Sequence, residues 1–210
     1  MAAIAKYNER QEELSSLSAI YPELAIDVEN QYAASLEIPV ILATSITIEE
    51  RSISHGGAQS APTISPKPNE KAHKVSYLPP LRLTFALPES YPCSEAPAVS
   101  LCTSPQWLAP SVLEDLARFA QKLWEEYGRQ QVMFAFIDHL QQSAQSCFEF
   151  IQGSACYSRE TLLGLLEFDA AAKRKNFLRQ TYDCGICLEP KKGADCHELL
   201  RCGHVFCVPC

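Results

Sequence analysis

The residues best suited to chemistry lie in the last stretch of the chain, residues 182–210, which holds six of the ten cysteines. Cys184-x-x-Cys187 opens this stretch and Cys207-x-x-Cys210 closes it, with nineteen residues between the two pairs. A Cys-x-x-Cys turn presents two thiolates from one tight bend, and a tetrahedral zinc ion needs four such soft ligands. The spacing therefore predicts a zinc-binding module.

A second pair of metal-ligand type, Cys202-x-His204, stands just before the closing turn. It supplies half of a second zinc site, and the sequence reaches Cys210 before two further ligands of that pattern appear. Cys196-His197 offers another way to complete this site, although its spacing does not match a known ligand pair. We therefore expect the second site to be empty.

Composition and charge narrow the class of protein. The hydrophobic content of 47% suffices for a core in the first 150 residues, whereas the last 30 are too few to fold without metal or disulfides. The net charge of −7 argues against general nucleic-acid binding. The sequence shows no apolar run of membrane-spanning length and no signal peptide at its start, so we expect a cytosolic or nuclear protein. Thiols stay reduced there, which favours zinc over disulfides.

The part of the chain before the cysteine stretch is predicted to begin with a helix over residues 9–24. Its apolar residues fall at helical spacing, and Glu13 lies on the polar side; the apolar residues are Leu14, Leu17, Ile20 and Leu24. Three β-rich segments follow, at 36–50 with a break near Pro39, at 75–87 and at 98–103. Residues 51–74, which include His55 and His73, are typical of a flexible surface loop.

Three further helices are predicted, at 110–127, 131–151 and 158–180. The second of them carries Phe134, Ile137, Leu140 and Ala144 on one side. The third connects to the cysteine stretch, and its basic run from Lys173 to Arg179 is typical of a solvated face. Grouped strands and grouped helices indicate an α+β fold, with an antiparallel sheet covered on one face.

The N-terminal elements resemble an RWD domain. The likeness is carried by the helix ending in Ile20-Tyr21-Pro22, by LPPLRLTFALPESYPCSEAPAVSL from residue 78, and by WEEY from residue 124. RWD domains have the fold of ubiquitin-conjugating enzymes without the catalytic residues, and their hallmark is a Tyr-Pro-x-x-x-Pro turn. Here Tyr91-Pro92 is present, but Ala96 occupies the position of the closing proline and Pro97 comes one later. The resemblance implies a partner-binding domain over residues 9–147, followed by a helical linker over 148–181.

The C-terminal stretch is similar to the start of the first RING finger of a RING-between-RING ubiquitin ligase, on CGICLEP and LLRCGHVFCVPC. This likeness implies that residues 182–210 are a truncated first RING that binds a ubiquitin-conjugating enzyme. In the RING cross-brace, one zinc would be held by Cys184, Cys187, Cys207 and Cys210, and half of a second site by Cys202 and His204. The residues implied in docking the conjugating enzyme are Ile186, Leu188 and Pro209.

Together the two likenesses indicate the RWD-containing branch of these ligases, which includes an androgen-receptor-associated RING finger protein and a fungal translation-termination inhibitor. The family's second RING carries the catalytic cysteine, so we expect these residues to be inactive alone. The remaining thiols, Cys93, Cys102, Cys147 and Cys156, are expected to be packed or surface groups.

Two other functions stay open. One is a non-catalytic RWD adaptor, for which the resemblance suggests a ribosome-associated scaffold as partner. The other is an active conjugating enzyme, against which the sequence counts because no His-Pro-Asn follows Tyr91-Pro92.

Overall fold

The chain divides into two units, Met1–Leu165 and Leu166–Cys210. A computed structural model describes residues 8–50, 72–146, 155–199 and 202–210. The elements in chain order are α1 (Glu9–Ile20), β1 (Ala25–Ile26), β2 (Ala33–Ile38), β3 (Ile41–Glu50), β4 (His73–Tyr77), β5 (Leu81–Ala86), β6 (Ala98–Thr103), α2 (Pro110–Glu126), α3 (Met133–Ser146), β7 (Ala155–Tyr157), α4 (Arg159–Arg179), β8 (Thr181–Asp183), β9 (Pro190–Lys192), β10 (Cys196–Leu199) and β11 (His204–Cys207).

An antiparallel sheet of four strands, in the order β1-β2-β5-β6, forms the centre of the first unit. The predicted alternation along β5 is confirmed, since Leu81, Leu83 and Phe85 are buried while Arg82 and Thr84 are exposed. Alternate side chains of a strand point to opposite faces, so the buried set meets the core. Grouped strands and helices give the α+β class that the sequence predicts.

A second sheet, in the order β4-β3-β7, departs from the sequence prediction in two ways. His73 and Lys74 belong to β4 rather than to a loop, because they pair with Ile48 and Thr47 of β3. Strand β3 also pairs with β7 in parallel. The two strands are far apart in sequence, so no local pattern predicts this contact. The predicted break near Pro39 is confirmed. Residues 51–71, with His55, lie outside the described residues, as do residues 147–154, with Cys147.

Helix α1 buries a carboxylate that the sequence placed on its polar side. Leu14 and Leu17 are buried as predicted, but Ile20 is half exposed and Glu13 is only 5% exposed. Glu13 is tolerated inside because its Oε1 accepts a hydrogen bond of 2.8 Å from the backbone N–H of Met133, the first residue of α3. That N–H has no partner within its own helix, so the carboxylate caps α3 from another element.

The apolar face of α3 is also rotated from the prediction. Phe134 is half exposed, whereas Phe136 is fully buried beside Ile137 and Leu140. With apolar residues at positions 134, 136 and 137, helical spacing alone allows either phenylalanine to face inward. The elements against which α3 packs, which are α1, α2 and β3, decide which one is buried.

The turn-rich segment after β5 is fixed by aromatic side chains. The Tyr91 hydroxyl accepts a hydrogen bond of 3.0 Å from the backbone N–H of Val132. The indole N–H of Trp124, in α2, donates to the carbonyl of Pro92 at 2.7 Å. These bonds hold the Tyr-Pro turn against α2 and the start of α3. Within the described residues, no helix combines the length and apolar character needed to cross a bilayer.

Candidate metal centre

Two short hairpins position the cysteines in the second unit. Strand β8 pairs with β9, and the loop between them carries Cys184 and Cys187. Strand β10 pairs with β11, which ends at Cys207 and is followed by the turn to Cys210. The two hairpins are joined by a backbone hydrogen bond of 3.0 Å from the N–H of Gly185 to the carbonyl of Val205. This junction brings the two Cys-x-x-Cys turns together.

The Sγ atoms of Cys184, Cys187, Cys207 and Cys210 all lie within 4.8 Å of one another. Those of Cys187 and Cys207 are 3.8 Å apart. Zn–S bonds of about 2.3 Å in a tetrahedron place neighbouring sulfur atoms about 3.8 Å apart. The four side chains therefore fit a zinc ion in both number and spacing, and the cluster could hold one.

Backbone N–H groups favour the thiolate form of one of these ligands. Cys184 Sγ accepts from the N–H of Cys207 at 3.3 Å and from that of Ile186 at 3.5 Å. Hydrogen bonds from the N–H groups of Cys207, Cys187 and Ile186 lower the pKa of Cys184 to about 6. A thiolate is the form in which cysteine binds a metal, so this sulfur is prepared for coordination.

The pKa of Cys210 is shifted in the opposite direction to that of Cys184. Its hydrogen bond with Cys207, followed by loss of solvent, raises the pKa of Cys210 to about 12. Four sulfur atoms at these distances cannot all be anionic without a cation among them, because like charges repel. A divalent metal bound by the four cysteines would supply that positive charge and would let every thiol ionise.

The polypeptide around the cluster is adapted to the close packing. Phe177 of α4 packs with Val205 and Phe206 against the buried cysteines. A Cβ on Gly185 would lie 3.0 Å from the Phe206 ring, so a larger residue would crowd the first turn. Leu188 closes that turn with a φ of 58°, in the left-handed region. The described core of this unit consists of the buried cysteines and the apolar contacts of Phe177, Val205 and Phe206. A unit with so small a core generally needs a metal ion or disulfides for stability.

Cys202 and His204 do not join the four sulfurs. Both are exposed, and Cys202 Sγ lies 3.8 Å from the carbonyl of Leu199. In the described part of the chain, the four-cysteine cluster is the one place where three or more ligand side chains converge. The assignment of Cys202 and His204 to a second zinc stays a prediction.

Cys196 and His197 are separated by the alternation of β10. Cys196 is 8% exposed and lies with Cys184 and Cys207, whereas His197 is exposed on the other face. Adjacent residues of a strand point in opposite directions, so the two cannot serve one site without breaking the hairpin. The sequence offered Cys196 only as a disfavoured ligand of the second site, and it did not predict the burial of Cys196 beside the cluster.

The residues expected to dock a conjugating enzyme are on the surface. Ile186 is 59% exposed and Leu188 is 77% exposed, and Pro209 is exposed too. Val208, which the sequence reasoning missed, is 61% exposed. It lies between Cys207 and Pro209 in the closing Cys-x-x-Cys turn, and the signal that could have found it is an apolar residue inside that turn, as Ile186 is inside the first turn. We call Ile186, Leu188, Val208 and Pro209 the knuckle patch.

The other described thiols stand apart from the cluster. Cys93 is exposed in the turn after β5, with its Sγ 3.9 Å from Glu9 Oε2. Cys102 is exposed on β6, opposite Arg82. Both match the expectation of surface thiols.

The RWD domain family model matches residues 8–144. The chain is 30% identical to the E3 ubiquitin-protein ligase RNF14 of Danio rerio over 177 residues, which covers 66% of this chain and 38% of that protein. It is 31% identical to the E3 ubiquitin-protein ligase itt1 of Schizosaccharomyces pombe over 209 residues, covering 95% of this chain and 42% of the relative. The human RNF14 protein is 29% identical over 184 residues, with 66% and 38% covered.

The chain thus spans about two fifths of the length of these curated relatives. No solved structure matches it. The likeness to itt1 extends through most of the sequence, so it includes the cysteine-rich unit as well as the RWD region.

Proposed function

The chain belongs to the RWD domain family, and on that premise we propose that it serves in a ubiquitin ligase of the RING-between-RING type. In this proposal the RWD unit binds a protein partner, and the C-terminal unit binds zinc and docks a ubiquitin-conjugating enzyme. The observation that carries it is the convergence of four cysteine sulfurs in a chain whose relatives are named E3 ubiquitin-protein ligases.

Zinc is the metal that the donor set favours. Four thiolates in a tetrahedral arrangement select zinc or iron–sulfur sites over the hard cations. Here the two ligand pairs come from two hairpins, as in structural zinc sites, and all four positions are filled by protein. The role of the ion is therefore to hold the knuckle patch in shape.

Native mass spectrometry of the zinc-loaded chain tests this assignment. We expect one zinc per chain, lost in the variant Cys207→Ser and kept in the matched control Cys102→Ser, whose thiol is exposed in the other unit. A Cys207→Ser protein that holds zinc as tightly as the wild type would contradict the four-cysteine site.

The knuckle patch suits a protein partner because it places exposed apolar side chains around one rigid centre. Leu188 and Val208 each follow a cysteine of the pair whose Sγ atoms are 3.8 Å apart. Ile186 precedes the same Cys187, so the three side chains flank the cluster. Exposed apolar residues gathered at one place are typical of a protein interface.

Isothermal titration with a purified ubiquitin-conjugating enzyme tests the docking role. We expect Ile186→Ala to weaken binding by at least about tenfold, the effect of removing an interface anchor worth roughly 1.4 kcal/mol. Leu199→Ala is the matched control, because Leu199 is a comparably exposed apolar residue of the same unit outside the patch. Equal binding by wild type and Ile186→Ala would refute docking at this site.

A second candidate, the non-catalytic adaptor, is supported by the extent of the RWD match. Residues 8–144 make up most of the chain, and none of the four cluster cysteines lies among them. The predicted ribosome-associated partner can be tested by co-sedimentation with ribosomes. Ribosome binding that is retained in Cys207→Ser would favour the adaptor function. Loss of ribosome binding in this variant would mean that the partner binds through the zinc unit.

A further inference from the structure

Cys196 is the one cysteine of the described C-terminal unit that is buried beside the cluster without belonging to it. Its exposed fraction is 8% and that of Cys207 is 4%, and the two belong to one buried group with Cys184. The ligand set is already complete without it. A fifth thiol at this position therefore needs an explanation other than metal coordination.

The register places Cys196 directly opposite Cys207 in the antiparallel pair of β10 and β11. The N–H of Val208 donates to the carbonyl of Asp195 at 2.9 Å, so the hydrogen-bonded pair is the neighbouring one. Hydrogen-bonded and non-hydrogen-bonded pairs alternate along such a ladder, which makes Cys196 and Cys207 a non-hydrogen-bonded pair. The N–H of Cys207 confirms this, because it donates to Cys184 Sγ at 3.3 Å rather than to β10.

This is a position at which a disulfide needs little backbone movement. In non-hydrogen-bonded pairs the Cα atoms are about 4.5 Å apart and the side chains lie on the same face. Disulfides span Cα separations of about 4.4–6.8 Å. We propose that Cys196 and Cys207 form a redox pair, in which oxidation by a peroxide joins them in a disulfide and removes Cys207 from the metal-binding set.

The exposed ligand Cys187 gives the oxidant a point of entry. Its thiol reduces the peroxide O–O bond, which forms a sulfenic acid on Cys187 and releases water. The Cys207 thiol, with its sulfur 3.8 Å away, displaces the hydroxyl as a second water and forms a disulfide with Cys187. Cys196 then attacks Cys207 Sγ, the S–S bond moves to the buried pair, and Cys187 is regenerated as a thiol. Two thiols are oxidised and one peroxide is reduced to two waters.

The buried disulfide is the end point because both of its sulfurs are shielded from further exchange. With one of four thiolates lost, the remaining set binds a zinc ion less tightly, and the shape of the knuckle patch is lost with it. The loss of zinc rests on the zinc site proposed above, whereas the pairing of the two cysteines does not.

Peptide mapping of the full-length protein after treatment with hydrogen peroxide tests the pairing. Zinc content is measured before and after oxidation, and again after addition of dithiothreitol. We expect a Cys196–Cys207 disulfide, loss of most of the bound zinc, and recovery of both on reduction. A mapped disulfide between two of the four ligands, with Cys196 still a free thiol, would overturn the proposal.

Two variants sharpen the result. Cys196→Ser is expected to bind zinc as the wild type does and, after peroxide treatment, to keep the disulfide between Cys187 and Cys207, because no third thiol attacks it. Cys102→Ser, which removes an exposed thiol of the other unit, is expected to behave as the wild type. A free Cys187 thiol in the oxidised Cys196→Ser protein would refute the proposed transfer of the disulfide from Cys187 to Cys196. If that variant does not fold, mapping of the wild type decides the question. Absence of zinc before oxidation would refute the zinc site alone.

Discussion

Replacing Gly193 with alanine is expected to loosen the C-terminal unit and weaken its hold on zinc. Gly193 is buried in the turn after β9, where its N–H donates to the carbonyl of Gln180 at 2.8 Å. A Cβ added there would overlap the carbonyl oxygen of Phe177 and lie 2.7 Å from its carbonyl carbon. Both are backbone atoms of α4, so the added methyl group cannot be accommodated by a change of rotamer.

The structure sets the size of the effect. Overpacking costs about 1–3 kcal/mol and a lost hydrogen bond costs about 0.5–1.5 kcal/mol, so we expect a destabilisation of about 1.5–4.5 kcal/mol. Phe177 packs on the buried cysteines and stacks on Tyr182 with ring centroids 4.7 Å apart, so its displacement reaches the metal cluster. Because zinc binding and folding are coupled, the apparent zinc affinity should fall by roughly 12- to 1,600-fold.

Competition with a chelator of known zinc affinity measures this fall. Trp107 and Trp124 both lie in the first unit, so tryptophan fluorescence during heating reports on that unit and should be unchanged. Gly203→Ala is the matched control, since Gly203 has a φ of 69° and a Cβ added to it would meet no atom within 4 Å. Backbone strain alone costs about 1 kcal/mol, or about fivefold in affinity. A Gly193→Ala protein that loses no more affinity than Gly203→Ala would refute the reasoning.

Two further predictions concern the first unit. Burial raises the pKa of Glu13, and the hydrogen bonds from Tyr91 and from the start of α3 lower it by less. Folding raises the pKa of this carboxyl group, so its protonation stabilises the folded chain at pH values below its pKa in the unfolded chain, which is near 4.3. This contribution is lost as the pH rises through the pKa in the folded chain. The stability of the wild type relative to Glu13→Gln should therefore fall as the pH rises from 4 to 8, as followed by tryptophan fluorescence; a rise with pH would contradict this. Phe136→Ala should lower the free energy of unfolding by about 3–5 kcal/mol because it leaves a cavity, whereas Phe134→Ala, at a half-exposed position, should change it by less than about 0.5 kcal/mol. Equal effects in denaturant titrations would mean that the helix face is assigned wrongly.

Local spacing was enough to predict the composition of the metal cluster. Each Cys-x-x-Cys pair is bridged by one turn, so its two sulfurs are brought together by only a few backbone angles. Residues 182–210 then need only fold back once to unite Cys184 and Cys187 with Cys207 and Cys210, and the four sulfurs do lie within 4.8 Å. Strands β2 to β6 and the three later helices were likewise visible in periods of two and 3.6, whereas β1 and β7–β11 were not predicted.

The pattern of one element could not predict which side of it would be buried. Glu13 reads as a surface residue because its neighbours on α1 are charged, yet it is buried because Met133 offers it an N–H from a distant helix. Phe134 and Phe136 are both apolar, and only the packing of α3 separates them. Glu13 and its partner Met133 are 120 residues apart in sequence, and the pattern of a single helix does not record such a partner.

By itself, the sequence determined the α+β class, the resemblance to RWD domains and the four cysteines of the cluster, because each of these depends on residues close together along the chain. Tertiary structure decided the place of Cys196. Its neighbour His197 made it look like one half of a ligand pair, but the register of β10 against β11 turns Cys196 toward Cys207 and His197 toward solvent. A shift of one residue would reverse both, since side chains alternate along a strand, and that register is set by contacts across the hairpin.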